Sequence, residues 1–305
     1  MTTAVDLFAG AGGFSQGARA AGVHVAWAAN HWPTAVQWHA ANHPETAHAC
    51  QDLQQCDFRE APRHDILLAS PACQGHSKAR GTDKPHHDAQ RSTAWAVITC
   101  AEVHRPQAVV VENVPEFTDW TLYPAWCAAM HALGYALNPM VVDAADHGVP
   151  QHRRRLFVVA TRSKSPVQLR LQLREHMPIG SFIDWTAGRW LPIERAGRSS
   201  RTLQRVANGR ARFGVRFVMP YYGSGSGLTG RSIDRPLGTV TTRARWGLVD
   251  GDQMRMLSAS EARGAMGFPA DYRLPAQPAQ ALHLLGNAVC PPVAADIVSA
   301  LMGAV

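Results

Sequence analysis

Up to about residue 160, short apolar runs alternate with segments whose apolar residues recur at helical spacing. The runs TAVDLFAG, VHVAWAAN, DILLAS, AVVVENV and RLFVVAT are rich in Val, Ile, Leu and Ala and show little polar alternation, which is typical of strands buried on both faces. The intervening segments FSQGARAAG, PTAVQWHAANH, STAWAVITCAEVHR and TLYPAWCAAMHALG have the spacing of helices. This alternation predicts an α/β fold, with a parallel sheet flanked by helices.

The pattern changes from about Ser163, where Arg, Gly, Ser and aromatic residues dominate. We find no clear period in RAGRSSRTLQRVANGRARFG, and we predict a second, smaller and more irregular domain there. Helical spacing returns at SASEARGAMGF, and LGNAVCPPVAADIVSALM predicts a turn that leads into a final helix. We therefore assign residues 1–162 plus 250–305 to one domain and 163–249 to another.

Composition adds limits to this picture. The chain has 305 residues, and 46% of them are hydrophobic, enough for a substantial core. The N-terminus lacks the basic head of a signal peptide, and no apolar run approaches the ~20 residues that span a bilayer. The six cysteines contain no C-x-x-C pair, so we expect reduced thiols, no metal site and a cytoplasmic protein.

The positive charge is concentrated in one segment. The chain carries a net +7, and between Thr161 and Trp246 there are sixteen Lys and Arg against four Asp and Glu. Nearly all of these basic residues are arginines, whose guanidinium groups match phosphates and guanine edges in two-point contacts. The segment predicts a nucleic-acid surface, with a merely solvated basic face as the alternative.

A glycine-rich loop, DLFAGAGGFSQG, follows the first predicted strand. Gly10, Gly12 and Gly13 would let the backbone approach a ligand closely. Ser15 stands where the dinucleotide fingerprint has a third Gly or Ala, and the loop has no Gly-Lys-Ser/Thr. Such a loop suits a zwitterionic cofactor such as S-adenosylmethionine, although it could be only a tight strand–helix turn.

Candidate reactive groups follow two other predicted strands. Cys73 comes just after DILLAS, and Glu112 and Asn113 end VVVEN. Open α/β sheets bind ligands at the carboxyl ends of their strands, where a thiol can be activated and a carboxyl group can retain a proton. The alternatives are an ordinary small apolar Cys and a carboxylate that caps the next helix.

Two arginines lie near the predicted strand RLFVVAT. Arg153 and Arg155 alternate in GVPQHRRRLFVVA and would share one face of that strand. Two guanidinium groups on one face could bind phosphate or stabilise a carboxylate; otherwise they mark a solvated strand end.

The order of these motifs resembles that of the DNA (cytosine-5) methyltransferase family. Along the chain come the glycine loop, Pro-x-Cys-Gln, Glu-Asn-Val, Gln-x-Arg-x-Arg, RPLGTVTT, MGFP and Gly-Asn-Ala-Val. The resemblance covers residues 4–162 and about 235–300. It implies a Rossmann-like S-adenosylmethionine-dependent methyltransferase domain, and the Arg-rich segment falls where that family keeps its target-recognition region.

The resemblance also implies roles for matching residues. Cys73 matches the thiolate that adds to carbon 6 of a flipped-out cytosine, and Glu112 matches the acid at ring nitrogen 3. Arg153 and Arg155 match arginines that orient this acid and the nearby sugar–phosphate. The expected base and DNA contacts are Pro71, Gln74, Ser77 and Asn113. The expected cofactor contacts are Phe8, Ala9, Gly10, Gly12, Phe14, Asn30, Asp52, Asn287 and Val289.

Three positions depart from the family pattern. Ala72 replaces the proline that directly precedes the catalytic cysteine, and His76 replaces a phenylalanine. Where the family carries an acid for the cofactor ribose, this chain has Asn30 followed by His31. We expect these changes to affect the shape of the base pocket and the affinity for the cofactor.

The expected partner is double-stranded DNA, bound by a monomer, with a cognate restriction endonuclease as a possible second partner. Two alternatives remain: an RNA cytosine-5 methyltransferase of the same family, and a DNA-binding or immunity protein that keeps the fold with weak activity.

Overall fold

The computed structural model describes residues 1–72, 93–221 and 229–304. By its contacts the chain forms two compact units. The first contains Met1–Asp143, Arg154–Gln172 and Ala288–Val305, and the second contains Ala144–Arg153 and Leu173–Asn287. Residues 250–287, which we grouped with the first domain from sequence, thus lie in the second unit, whereas the functional division of the chain stays a prediction.

A seven-stranded sheet forms the centre of the first unit. Its strands are β1 (Thr3–Leu7), β2 (His24–Asn30), β3 (Ala47–Cys50), β4 (Ile66–Ala69), β5 (Ala108–Asn113), β6 (Ala136–Asp143) and β7 (Arg154–Thr161). They are ordered β3-β2-β1-β4-β5-β7-β6. Every residue of β4 and β5 is buried, as expected for strands covered on both faces. The predicted α/β class is confirmed.

One feature of the predicted sheet was wrong. The first five strands pair in parallel, but β7 runs antiparallel to both β5 and β6. The apolar run of β7 predicts burial but carries no information about strand direction. We also missed the edge strand β6, whose Pro139 and partly exposed residues obscure its pattern; an edge position tolerates proline because one side of the strand needs no partner.

The described residues of the first unit form five α-helices, among them the four that were expected between the strands. These are α1 (Gly13–Ala20), α2 (Pro33–Asn42), α3 (Ala94–His104) and α4 (Tyr123–Ala132), and the last helix of the chain is α8 (Pro291–Met302). Trp126 of α4 is fully buried, and its indole nitrogen donates a hydrogen bond to the Ala94 carbonyl at 3.0 Å. Burying such an aromatic side chain stabilises the fold by about 1.5–3 kcal/mol.

The second unit contains an antiparallel sheet ordered β8-β11-β10-β9. Its strands are β8 (Leu191–Pro192), β9 (Arg216–Pro220), β10 (Trp246–Asp250) and β11 (Gln253–Met256), and its helices are α5 (Ser200–Phe213), α6 (Ala259–Ala265) and α7 (Pro278–Asn287). Helix α5 lies in a segment where we found no period. Its buried face consists of Thr202, Arg205, Val206 and Gly209, so a single large aliphatic residue marks that face and the periodicity is hidden.

Residues 278–302 have the length and hydropathy of a membrane-spanning helix, although we expected no apolar run long enough to span a bilayer. Two thirds (67%) of the most apolar window is buried inside the protein, and residues 288–290 interrupt the helix between α7 and α8. Mostly buried core helices pass the same test, so this stretch is weak evidence for a membrane.

Candidate active site

The parallel strands bring the ends of β1, β2, β4 and β5 to the same edge of the sheet. The backbone N–H of Ser70 donates to the Leu7 carbonyl at 3.1 Å, and that of Gln51 donates to the Asn30 carbonyl at 3.1 Å. Chain segments that leave these strands therefore start side by side. The glycine loop, Asn30, Pro71 and Glu112 all belong to this edge, which is where ligands bind in open α/β sheets.

The glycine loop is a compact turn with an unusual backbone. Phe8 has φ 61° and Gly12 has φ 80°, and a left-handed conformation at a non-glycine residue such as Phe8 is associated with functional sites. The Ala9 N–H donates to the Ala29 carbonyl at 3.1 Å, which holds the loop against β2. A Cβ on Gly13 would lie 2.0 Å from the Val289 carbonyl oxygen, so only glycine permits this approach of α1 to the turn before α8.

A small pocket lies beside this loop. Its lining includes three of the expected cofactor residues, and the full set is Ala9, Gly10, Ala28, Ala29, Asn30, Ala35, Val36, His39 and His48. The Asn30 side-chain oxygen accepts the Trp32 N–H at 2.9 Å, so it supports the turn after β2. His31 is exposed. Neither Asn30 nor His31 is the acid that the resemblance leads us to expect here.

The other expected cofactor residues have different environments. Asp52 is exposed two residues after β3, and its side chain accepts the Gln54 N–H at 3.0 Å. The Phe14 side chain is only 1% exposed and packs edge-on against Phe157, so it contributes to the core. Val289 is buried in the first unit, whereas Asn287 ends α7 in the second unit.

Glu112 and Arg155 form an ion pair at the end of β5. Arg155 Nε lies 3.2 Å from Glu112 Oε1, and the two side chains are only 17% and 7% exposed. The pair forms because β7 runs antiparallel to β5, which places the first residues of β7 beside the last residues of β5. In low-dielectric surroundings this guanidinium fixes the orientation of the carboxyl group.

The chain entering the predicted cysteine loop is anchored beside Glu112. Asn113 is buried, and its side-chain nitrogen donates to the Pro71 carbonyl at 3.2 Å. The Ala72 N–H donates to the Thr93 hydroxyl oxygen at 3.1 Å, so the described residues on either side of 73–92 meet at one point. Cys73, Gln74, His76 and Ser77 lie outside the described residues.

Arg153 has a different environment from Arg155. It precedes β7, is 3% exposed, and donates to the carbonyls of Val240 at 3.1 Å and Gly286 at 2.9 Å within the second unit. These bonds connect the RPLGTVTT segment with the end of α7. We predicted that Arg153 and Arg155 share one face of this strand. That prediction was wrong, because β7 begins only at Arg154.

The Arg-rich segment is only partly a charged surface. Arg205 is buried, and Arg198 donates to the Ile193 and Pro192 carbonyls and to the Tyr221 hydroxyl. Several others are exposed on the second unit, namely Arg189, Arg195, Arg201, Arg210, Arg212, Arg216, Arg231, Arg235 and Arg243. Of these, Arg210 and Arg216 form ion pairs with Asp252 and Asp250, and the others are the candidates for phosphate contacts.

Sequence reasoning missed a buried polar cluster beneath the glycine loop. Asp6, Ser15 and His39 are at most 1% exposed, and hydrogen bonds connect them. A carboxylate within the apolar run TAVDLFAG was the available signal, because buried carboxyl groups need partners.

Comparisons with known proteins agree with this geometry. The family model for C-5 cytosine-specific DNA methylase matches residues 2–187 and 194–303. The type II methyltransferase M.HgiDI of Herpetosiphon aurantiacus is 28% identical over 93% of this chain and 89% of its own length. M.HhaI of Haemophilus parahaemolyticus is 25% identical, with the same coverage of 93% and 89%.

Solved structures support the fold. A putative DNA modification methyltransferase encoded within a prophage (E. coli) superimposes with a TM-score of 0.74 at 18% identity, covering 100% of this chain and 99% of that one. The Spodoptera frugiperda DNMT2 mutant gives a TM-score of 0.72 at 17% identity, with 99% and 100% covered. With the family model matching nearly the whole sequence, the chain belongs to the C-5 cytosine-specific DNA methylases, which transfer a methyl group from S-adenosylmethionine to carbon 5 of cytosine in DNA.

Proposed function

We propose that this chain methylates a flipped-out cytosine in a specific duplex DNA sequence through a transient bond to Cys73. The observation that carries this proposal is the arrangement at the end of β5. There the buried Glu112 is oriented by Arg155, and its neighbour Asn113 binds the Pro71 carbonyl, two residues before the thiol.

The chemistry assigns a distinct task to each group. Carbon 5 of cytosine is too electron-poor to attack a methyl group unaided, so the Cys73 thiolate first adds to carbon 6. Glu112 holds a proton at ring nitrogen 3 and thereby offsets the negative charge that develops on the ring. Carbon 5 then takes the methyl group. Loss of the carbon 5 proton to a base and elimination of the Cys73 thiolate restore the aromatic ring.

The residues of the glycine loop fit the cofactor that the family uses. S-Adenosylmethionine supplies the methyl group on a cationic sulfonium. Phe8, Ala9, Gly10 and Gly12 would hold it, and at Gly10 and Gly12 no Cβ obstructs its approach to the backbone. Asn30 would face its ribose with neutral hydrogen bonds. Asp52, Asn287 and Val289 complete the proposed contacts, and Phe14 supports them from the core.

Residues 163–249 are the proposed DNA-reading part, and most of them lie in the second unit. Its exposed arginines would neutralise phosphates, which supplies affinity, while contacts to base edges would supply sequence specificity. Extruding the cytosine takes a few kcal/mol, which phosphate contacts can offset. We further propose that the protein acts as a cytoplasmic monomer, and that a restriction endonuclease of the same specificity is its biological partner.

A covalent trapping experiment tests the mechanism. In DNA that contains 5-fluorocytosine, fluorine replaces the proton that must leave carbon 5, so the adduct persists. We expect wild-type protein with S-adenosylmethionine to form a denaturation-resistant complex and Cys73→Ser to form none. Glu112→Gln preserves the shape of the side chain, and its trapping rate should fall by about 10²–10⁴-fold.

The control separates this residue from other thiols. Cys50 is an exposed free cysteine of the first unit, and Cys50→Ser should trap DNA at the wild-type rate. Trapping by Cys73→Ser, or its absence in the wild type on any duplex carrying the target sequence, would refute the mechanism. Trapping of 5-fluorocytosine RNA in preference to DNA would favour an RNA substrate.

A further inference from the structure

Four polar side chains form a continuous hydrogen-bonded chain inside the first unit, here called the buried polar chain. Ser15 Oγ lies 2.7 Å from Asp6 Oδ2, and His39 Nε2 lies 3.0 Å from Ser15 Oγ. His48 Nε2 lies 2.8 Å from His39 Nδ1. The four groups come from β1, α1, α2 and β3, and their exposure increases from the sealed Asp6 to the partly exposed His48.

The chemistry of these groups allows two directions of hydrogen bonding. With Asp6 ionised, the Ser15 hydroxyl donates to Asp6, His39 Nε2–H donates to Ser15, and His48 Nε2–H donates to His39 Nδ1. A proton taken up at His48 Nδ1 reverses every bond and leaves the carboxyl group of Asp6 protonated. One proton can therefore move between Asp6 and the surface without any charge remaining on a histidine.

The charge of Asp6 is sensitive to its surroundings. Burial raises its pKa to about 7, although the hydrogen bonds from Ser15 act in the opposite direction. Burial lowers the pKa of His39 well below its usual value, and it also lowers the pKa of His48. At neutral pH the histidines are thus uncharged, and Asp6 is the group of the chain that titrates.

The remaining charged and titratable neighbours do not neutralise Asp6. The His43 ring lies 4.6 Å from that of His39, and its pKa is lowered to about 4, mainly by burial. Arg19 and Glu45 approach each other to 3.9 Å at the surface. Within the described part of the chain Asp6 makes no ion pair, and its Oδ1 has no hydrogen-bond partner. Among the same residues, no group of three His, Cys, Asp or Glu side chains is arranged to hold a metal ion.

The buried polar chain adjoins the proposed cofactor site through His39 and His48, and Asp6 is close to that site along the chain. Asp6 lies two residues before Phe8, where the glycine loop begins. His39 and His48 lie in the wall of the pocket that Ala9, Gly10 and Asn30 also line. An ionised Asp6 would therefore be connected to the site by hydrogen bonds, with no countercharge from the described residues until a cation binds.

We propose that Asp6 makes the cofactor site select the cationic sulfonium of S-adenosylmethionine over the neutral thioether of S-adenosylhomocysteine, and that Asp6 releases its proton through Ser15, His39 and His48 when the sulfonium binds. This inference rests on the proposed cofactor site. It makes Asp6 a specificity-determining residue, acting by charge through the protein. After methyl transfer the positive charge is gone, so Asp6 regains its proton and the product is held less tightly.

Calorimetric titration tests this inference. Binding of each cofactor form is measured at pH 7 in buffers with different enthalpies of ionisation, which gives the number of protons released. For wild-type protein we expect S-adenosylmethionine to release up to about 0.5 proton more than it releases from Asp6→Asn, since a group with this pKa is half protonated there. S-Adenosylhomocysteine should give the same count with both proteins.

Two further measurements keep the test decisive. His43→Gln changes the histidine that follows the end of α2, which lies outside the buried polar chain. The proton count of this variant should match that of the wild type. In the wild type alone, the affinity ratio of the two ligands should shift severalfold toward S-adenosylmethionine between pH 6 and pH 8. Equal proton counts for both ligands, or a ratio independent of pH, would overturn this inference and leave the proposed function intact; failure to bind either ligand would overturn both.

Discussion

At the residue scale, Asp6 shows how one buried carboxyl group can couple stability to pH. Burial raises the pKa of Asp6 from its ordinary value of 3.8 to about 7 in the folded protein. A raised pKa means that the stability associated with the protonated form is fully present below about pH 4 and is lost as the pH rises through about 7. The destabilised form is the buried carboxylate at neutral and alkaline pH.

We therefore expect Asp6→Asn to stabilise the protein increasingly with pH. Its free energy of unfolding relative to wild type should rise by about 2–4 kcal/mol between pH 4 and pH 8. The buried histidines titrate in both proteins, so their contributions cancel in the difference. Urea denaturation of the two proteins across this pH range measures the difference in their free energies of unfolding. A difference that stays constant with pH would mean that the pKa of Asp6 is not raised.

At the element scale, the start of β7 separates two arginines that look equivalent in the sequence. Arg155 belongs to the sheet of the first unit and pairs with Glu112. Arg153, two residues earlier, donates hydrogen bonds to the carbonyls of Val240 and Gly286 in the second unit. The two guanidinium groups thus support different parts of the molecule.

This difference predicts distinct phenotypes. Arg153→Met leaves two buried carbonyls without these donors, and we expect it to lower the free energy of unfolding by about 2–4 kcal/mol. Arg155→Met should reduce the covalent trapping rate by more than about 10-fold, because Glu112 loses its orientation. Its effect on stability should be smaller, since an isolated Glu112 can take up a proton.

Thermal denaturation together with trapping rates per folded molecule distinguishes these outcomes. An Arg153→Met protein with wild-type stability and no trapping would assign Arg153 directly to catalysis. An Arg155→Met protein that traps normally would remove Arg155 from the mechanism.

At the scale of the whole molecule, the uneven charge distribution governs association with DNA. Each phosphate neutralised by an arginine releases counterions, so the logarithm of the affinity should fall by about 0.9 per contact for each logarithmic unit of salt. Four such contacts would lower the affinity by about 10²-fold between 50 and 200 mM salt.

Substitutions that remove one arginine at a time show where the phosphate-binding surface lies. Arg201, at the start of α5, is exposed, and so is Arg63 of the first unit, which makes them a matched pair. We expect Arg201→Ala to reduce the salt slope by about 0.9 and Arg63→Ala to leave it unchanged. Fluorescence anisotropy with duplex DNA measures both, and equal slopes for all three proteins would remove Arg201 from the phosphate-binding surface.

The sequence by itself determined the features that depend on local chemistry. The apolar runs identified β1, β2, β4, β5 and β7 because strands covered on both faces must be apolar throughout. The glycine loop was recognisable because a sharp strand–helix turn requires residues without a Cβ. The order of motifs identified the family before any fold was known.

Tertiary structure decided what depends on residues distant in the chain. The direction of β7 brings Arg155 to Glu112, and no local pattern encodes strand direction. Helix α5 is stable although only one large aliphatic residue marks its buried face, because Gly209 lets it approach the Phe217 ring of the sheet. The buried polar chain joins groups from four elements, so only the folded protein brings its donors and acceptors within hydrogen-bonding distance.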